Sequence, residues 1–273
     1  MKSILTASLL LCFSALSAQQ NPIKLRNGQK ISATINNQIE ADLGNGMLMK
    51  NNSEARNIIV VAGEKDDNYL LTNTLEMMKI KMEFMGQTQE FNSEKDEDKE
   101  TELGKQMSPL VGQPFNITLS KITGKAIPET KEESQAEENP LQSMLGSNGH
   151  EEVIKLAFFQ MPKGRKNGET WKYSDSSAAG VNKFVYTLHN VEGDKAIISF
   201  TSEMDIAKAM ESQGQEMFLT MKVKSKGDFT SDVQTGLVST RNMETEISGN
   251  IDVMGQSMPI MATNTQRITY QNE

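Results

Sequence analysis

The sequence predicts a mainly β protein built from antiparallel sheet, and three observations support this fold class. Apolar and polar residues alternate with period two over long stretches, short glycine-containing motifs separate these stretches, and helical spacing is confined to two segments. Alternate side chains of a strand point to opposite faces of its sheet, so this pattern indicates strands with one covered and one solvated face. One-sided strands joined by short turns are typical of antiparallel sheets.

The alternation is clearest in three segments, at residues 78–84, 196–206 and 217–223. In each segment one face is apolar and the other is polar or charged, with Ser202 as an exception on the apolar side. The apolar faces consist of Met78, Ile80, Met82 and Phe84 in the first segment, of Ala196, Ile198, Phe200, Met204 and Ile206 in the second, and of Met217, Leu219, Met221 and Val223 in the third.

Short motifs and helix-ending residues predict the turns and the helices. The motifs "MGQ" (85–87), "VEGD" (191–194), "SKGD" (225–228) and "QTG" (234–236) predict turns. Residues 149–162 place Val153 and Leu156 at helical spacing, with acidic residues near the start and Pro162 at the end, and therefore predict a helix. Residues 100–110 favour a second helix.

The chain divides into two similar halves. "LRNGQKI" near the start is matched by "RKNGETW" in the second half, and "VVAGEKDDNYLL" by "HNVEGDKAIISF", which indicates a degenerate duplication or a coincidence of short motifs. An acidic, proline-bounded segment separates them. We expect a signal peptide (1–18), a first β-rich half (19–127), a flexible acidic linker (128–150) and a second helix-plus-β half (151–273). Each half is expected to form a curved antiparallel sheet, open-barrel or half-barrel-like, with one short helix.

The N-terminus has the pattern of a secretory signal. Lys2 precedes an apolar run that ends near Leu16, and small residues lead to Ala18, after which we expect cleavage. The run is too short to span a bilayer, and the alternative is a short N-terminal core helix. Cys12 is the single cysteine, so the mature chain lacks disulfides. We expect an exported protein of the periplasm, cell surface or extracellular space, without a transmembrane segment.

Several function classes are excluded or disfavoured by composition. A net charge of −8 argues against binding nucleic acid, which needs a basic surface. His150 and His189 are the chain's two histidines, and no nucleophile motif accompanies either of them. No phosphate-binding glycine loop or calcium loop is present. The sequence therefore predicts a protein without catalytic residues, cofactor or bound metal.

The methionines suggest a binding surface. The chain contains 18 methionines, and methionine is an adaptable apolar side chain that suits both irregular cores and surfaces that accept varied ligands. Three interpretations stay open: core packing, a cavity for an apolar ligand, and a soft-metal site for Cu(I). The candidate ligand-binding residues are Met78, Met82, Phe84, Met217, Leu219 and Met221.

The order of motifs resembles an uncharacterised domain-of-unknown-function family of exported, Bacteroidota-type bacterial proteins. The resemblance rests on Gly168 and Trp171 after a helix, on a Gly227-to-Phe229 turn, and on residues 235–238, "TGLV", at a strand start. It covers nearly the whole mature chain and implies no catalytic residues. The pattern of residues 227–240 also resembles the curved, incompletely closed sheets of envelope lipid carriers, at the level of fold.

These observations lead to one functional expectation and two alternatives. We expect a non-catalytic exported protein that binds an apolar or amphipathic ligand, such as a lipid, or an envelope protein on a Met-rich concave surface. The first alternative is a structural or adhesive envelope component. The second is a hydrolase whose site has no recognisable motif.

Overall fold

The structure is a computed structural model, and it describes residues 22–44, 46–128, 149–177, 180–212, 215–253 and 256–273. The predicted signal peptide and nearly all of the predicted acidic linker lie outside the described residues. The strands are Lys30–Asp42 (β1), Leu48–Lys65 (β2), Asn68–Phe84 (β3), Gln87–Asn92 (β4), Pro114–Ser120 (β5), Ala126–Pro128 (β6), Thr170–Ser177 (β7), Gly180–Glu192 (β8), Lys195–Ser212 (β9), Gln215–Asp232 (β10), Val238–Val253 (β11) and Gln256–Asn272 (β12). The helices are Asp96–Lys99 (α1), Glu102–Met107 (α2) and His150–Ala157 (α3), and a 3-10 turn covers Ser108–Leu110.

All twelve strands belong to one antiparallel sheet that is not closed into a barrel. Its order is β6-β5-β3-β2-β1-β12-β11-β10-β9-β8-β7, and β4 pairs with β3. The expectation of two separate sheets is wrong, because β1 from the first half of the chain pairs with β12 from the second over residues 31–42 and 261–272. This pairing satisfies backbone groups that two separate sheets would each leave exposed on an edge strand.

The repeated Asn-Gly motifs occupy equivalent places in the sheet. The N–H of Gly28, just before β1, donates to the carbonyl of Val61 in β2 (2.8 Å), and the N–H of Gly168, just before β7, donates to the carbonyl of Leu188 in β8 (2.7 Å). Both glycines have positive φ, 77° and 85°, which a residue with a Cβ rarely adopts. The meanders β1–β2–β3 and β7–β8–β9 therefore begin with the same turn at the two matched motifs, and the duplication stays a prediction.

The sheet curls at one end. The N–H of Ile23 donates to the carbonyl of Lys121 after β5 (2.9 Å), and the N–H of Lys24 donates to the carbonyl of Thr235 before β11 (3.2 Å). Strands β5 and β11 are five strand spacings apart, which is about 24 Å in a flat sheet. Two consecutive residues reach both strands because the sheet wraps around its core. We call this end proximal, and the end with the β1–β2 and β3–β4 hairpins distal.

Helix α3 fills the curl near the proximal end. We call the sheet face that it covers the helix face, and the opposite face the open face. Val153, Ile154 and Ala157 are fully buried, and Glu151 and Lys155 form an ion pair (2.6 Å) on the other side of the helix. The surrounding core includes Ile31, Ile59, Leu71, Ile117, Leu119, Leu188, Ile198, Phe229, Ile268 and Tyr270.

Helix α2 covers a second part of the helix face. Leu103 and Met107 pack in one cluster with Met78 and Ile80 of β3. The helix begins at Thr101, whose side-chain oxygen accepts a hydrogen bond from the N–H of Gly104 (3.0 Å). Both helices occur where the sequence predicted helix, although α3 is shorter than the predicted segment 149–162.

One predicted turn is wrong. Residues 225–228 lie inside β10, where Gly227 pairs with Met243 on one side and Phe200 on the other. The glycine suggested a turn, but its φ is not positive, and it serves instead to let neighbouring groups approach the strand. The turns predicted at 85–87, 191–194 and 234–236 are confirmed.

Replacing Tyr270 by phenylalanine is expected to lower the free energy of unfolding by about 1–2 kcal/mol. The buried hydroxyl of Tyr270 on β12 donates to the carbonyl of Val153 in α3 (2.8 Å), so its removal breaks a buried hydrogen bond that ties the helix to the sheet. Urea unfolding measures the change. Tyr173→Phe, at an exposed position, is the control, and an equal loss in both variants would contradict the anchoring role.

Candidate functional site

The helix face changes character along the strands. Near the proximal end it is apolar and covered by α3, and further along it carries a band of polar residues. Beyond this band it becomes apolar again, in a cluster around Ile39, Ala41, Met49 and Ala262 that contains no helix residue within the described chain. The sheet therefore continues past its helical cover with an apolar face.

The polar band runs across β9 to β12. Ser202, Ser225, Thr245 and Asn264 are successive pairing partners on these strands, so their side chains share the helix face. The hydroxyls of Ser225 and Thr245 are hydrogen-bonded (2.9 Å). We call each such row of paired residues on the helix face a tier. Gln266 lies on the same face of β12, one tier closer to the proximal end than Asn264. It is 2% exposed, and its Oε1 has no hydrogen-bond partner among the described residues.

Beyond the polar band, the strands present an apolar surface that spans seven of them. Strand register places these residues on the helix face, and each is buried or half-buried, whereas open-face neighbours such as Glu246 and Ser248 are exposed. We call this set the distal apolar surface. It consists of Ala41, Met49, Phe84, Met204, Ile206, Leu219, Met221, Val223, Ile247, Ile251, Met258, Ile260 and Ala262.

The predicted site residues divide between two places. Phe84, Leu219 and Met221 belong to the distal apolar surface, and Met82 lies half-buried beside it on β3. Met78 is 6% exposed and packs beneath α2, so it is a core residue. The backbone of Met217 continues β10, and its side chain lies outside the described part of the structure.

Sequence reasoning missed most of the distal apolar surface. Ile247 has no methionine-rich context, and all three of Ile247, Ile260 and Ala262 join the surface through the pairing of β10, β11, β12 and β1. The signal that could have found them is the alternation in "EISGNID" and "SMPIMAT", where apolar residues recur at every second position.

A buried arginine lies between the proximal core and the polar band. The guanidinium of Arg241 is 4.5 Å from the ring centre of Phe229 and 5.4 Å from that of Phe200, within the range of cation–π attraction. Burial lowers the pKa of Arg241. Burial also raises the pKa of Glu152 on α3, although the charges of Lys155 and Arg241 oppose this shift.

Two grooves of about 720 and 590 Å³ cross the middle of the sheet. Each strand contributes three consecutive residues to the larger groove, such as 224–226, and the next helix-face residues, Val223 and Gly227, do not contribute. The first and third residues of each triplet point to the open face, so the groove lies on that face with the backbone of the middle residues as its floor. Lys226 and Glu244 form an ion pair there (2.8 Å), so the groove is charged and does not extend the distal apolar surface.

Within the described residues, the histidines and acidic groups do not assemble into a catalytic or metal site. His189 Nε2 is 2.7 Å from the hydroxyl of Ser199 at an exposed position, and within the described chain no carboxylate hydrogen-bonds this histidine. His150 stacks on Phe115 with ring centres 5.0 Å apart. In the part of the chain that the structure describes, no three His, Cys, Asp or Glu residues group as a metal site. None of the described helices has the length and apolar character needed to cross a membrane.

The fold and the surface define a class: a large, open antiparallel β protein with an apolar helix face. Within this class, the chain belongs to DUF6263, a family of unknown function, whose profile matches residues 66–238. This match confirms the expectation of a domain-of-unknown-function family. No curated protein sequence is significantly similar to the chain.

Solved structures share the architecture at low sequence identity. A structure titled "Lipid-protein interactions in lipovitellin" matches with a TM-score of 0.53 and 9% identity, over 91% of this chain and 25% of that chain. The chain therefore spans about a quarter of the lipovitellin chain. An outer membrane channel from Pseudomonas putida F1 matches with a TM-score of 0.27 and 9% identity, over 91% and 97% of the two chains, which is too low a score to carry an argument. The lipovitellin match shows the fold alone.

Proposed function

We propose that the protein is an exported, non-catalytic binding protein that holds an apolar or amphipathic ligand on the distal apolar surface. The observation that carries this proposal is the continuation of an apolar helix face over seven strands beyond the described helices. Contiguous apolar surfaces of this extent mark interaction or ligand-binding sites more often than they occur without a role. Export rests on the signal-like N-terminus.

The side chains of the surface suit a flexible apolar ligand. Met204, Met221 and Met258 are half-buried, which leaves part of each thioether chain available for contact. Methionine adapts to varied apolar shapes because it is unbranched and polarizable. Ligand sites in proteins are mostly apolar, with a few polar groups that fix orientation, and the polar band borders the surface in this way.

The lipovitellin match supports this proposal at the level of fold. That protein's structure is titled for lipid–protein interactions, and its sheet resembles this one over most of the present chain. In the present chain, an open antiparallel sheet with one apolar face satisfies its backbone by strand pairing while the apolar face stays available for a ligand. The proposal takes from the match only the association of this fold with lipid.

Replacing Ile247 by glutamate is expected to weaken binding of the neutral apolar probe N-phenyl-1-naphthylamine about tenfold or more. The change places a carboxylate in the middle of the distal apolar surface, where an apolar ligand would have to desolvate it. Probe fluorescence measures the affinity. Ser248→Glu is the matched control, because it introduces the same group one residue later on the open face.

Two results would contradict the proposal. The first is the absence of probe binding by the wild-type protein, and the second is an equal loss of binding in Ile247→Glu and Ser248→Glu. Circular dichroism and thermal unfolding of both variants show whether each retains the fold. Ile247→Ala, which keeps the surface apolar, is expected to bind the probe and serves as a second check if Ile247→Glu does not fold.

A further inference from the structure

Arg241 is a buried cation without a direct counter-charge. It is 7% exposed, and within the described residues it forms neither an ion pair nor a hydrogen bond; its Nε is buried without a partner. Arginine stays charged in proteins, and a buried charge without paired or hydrogen-bonded groups is strongly unfavourable. Stacking on Phe200 and Phe229 offsets part of this cost but supplies no anion.

The ionisable groups that act on Arg241 form no ion pair with it among the described residues. Glu152 on α3, Tyr186 on β8 and Tyr270 on β12 act on it electrostatically. The pKa values of both tyrosines are raised by burial, so they are neutral, and burial also raises the pKa of Glu152. Lys155 is paired with Glu151 and adds positive charge near Glu152. No ion pair or hydrogen bond within the described residues therefore occupies the guanidinium, and its donors are available to an anion.

The position of the guanidinium directs it toward the distal end. Phe229 pairs with Arg241 in one tier, and Phe200 lies one tier further along, beside Gly227. A Cβ at Gly227 would lie 3.0 Å from Cε1 of Phe200, so the ring of Phe200 packs over this glycine and beside the guanidinium. The next tier contains the hydroxyls of Ser202, Ser225 and Thr245, and the distal apolar surface begins one tier beyond them.

The polar band has hydrogen-bonding capacity left for a ligand. Asn264 Oδ1 and Gln266 Oε1 are buried and have no hydrogen-bond partner within the described chain. Buried amide oxygens are normally paired, and these two accept only from a donor, such as a hydroxyl or a protonated phosphate oxygen of a ligand, while the anionic oxygens of the ligand pair with the guanidinium. From Arg241 to Ile251 on β11 the strand extends about 33 Å, which accommodates a head group and an extended alkyl chain.

We propose that Arg241 binds the anionic head group, a carboxylate or a phosphate, of a single-chain amphiphile whose alkyl chain lies along the distal apolar surface. This inference rests on the proposed function and names its ligand class. The guanidinium matches the planar carboxylate or a phosphate with two parallel hydrogen bonds. The hydroxyl groups of the polar band and the amide N–H groups of Asn264 and Gln266 donate further hydrogen bonds to the head group.

Displacement of N-phenyl-1-naphthylamine by laurate, dodecyl phosphate and methyl laurate tests the inference. The wild-type protein is expected to bind at least one of the two anions about tenfold or more tightly than the neutral ester, because a charge-assisted hydrogen bond forms with the anion alone. Arg241→Met is expected to abolish this preference and to leave the affinity for methyl laurate unchanged. Arg267→Met, an exposed open-face position on β12, is the matched control and is expected to keep the preference.

A second variant keeps the test decisive if Arg241→Met does not fold. Gln266→Glu places a negative charge in the tier next to Arg241, and it is expected to weaken binding of the anions while binding of methyl laurate persists. Equal affinity of the wild-type protein for the anions and the ester, or a preference that survives in Arg241→Met, overturns the inference. If neither the ester nor the anions displace the probe, the proposed function fails together with it.

Discussion

Gly227→Ala is expected to lower the free energy of unfolding by about 3 kcal/mol. A Cβ at this position would overlap the carbonyl oxygen of Asn242 on β11 and would lie 3.0 Å from Cε1 of Phe200. The first contact is with backbone, which cannot move without disturbing the β10–β11 hydrogen bonds. Overpacking of a well-filled interior costs about 1–3 kcal/mol, and a backbone clash lies at the upper end of this range.

Gly63→Ala in β2 is the matched control. It is also a strand glycine without positive φ, but a Cβ there would meet no atom within 4 Å. Alanine restricts the unfolded chain more than glycine does, so this variant is expected to be neutral or slightly more stable. Urea unfolding of both variants measures the difference, and a Gly227→Ala protein as stable as the control would show that β10 and β11 are further apart than the structure has them.

Local strand structure was predictable from the alternation of residue types. The segments 78–84, 196–206 and 217–223 all lie in strands, because period-two patterning reports directly on which side of a strand is covered. The union of the halves into one sheet was not predictable in this way. It depends on the pairing of β1 with β12, and no local pattern records which edge strands will meet across more than two hundred residues.

The candidate site was only partly predictable for the same reason. Leu219 and Met221 lie on the surface that alternation assigned to them, whereas Met78 has the same local pattern but is covered by α2. The cover depends on where a distant segment packs, which side-chain spacing does not encode. Arg241 shares the period-two face of Met243 and Thr245, and its burial depends on Phe229 and Phe200 from other strands.

Phe229→Ala is expected to destabilise the protein by about 3–5 kcal/mol, the largest effect of a single truncation in the proximal core. Phe229 is 1% exposed, its ring packs edge-on against Phe159 with centres 4.7 Å apart, and Arg241 lies 4.5 Å above it. Removal of the ring leaves a cavity that rigid strands cannot close. It also removes one of the two aromatic surfaces that stabilise the buried guanidinium.

Phe218→Ala separates this effect from the loss of a large side chain in general. Phe218 lies on the same strand but is 47% exposed on the open face, so its truncation is expected to change stability by about 0.5 kcal/mol or less. Thermal and urea unfolding measure both variants. In Phe229→Ala the guanidinium loses one of its two stacking partners while an anion remains able to pair with it, so saturating laurate should recover more stability in this variant than in Phe218→Ala. Equal recovery would indicate that laurate binds without engaging Arg241.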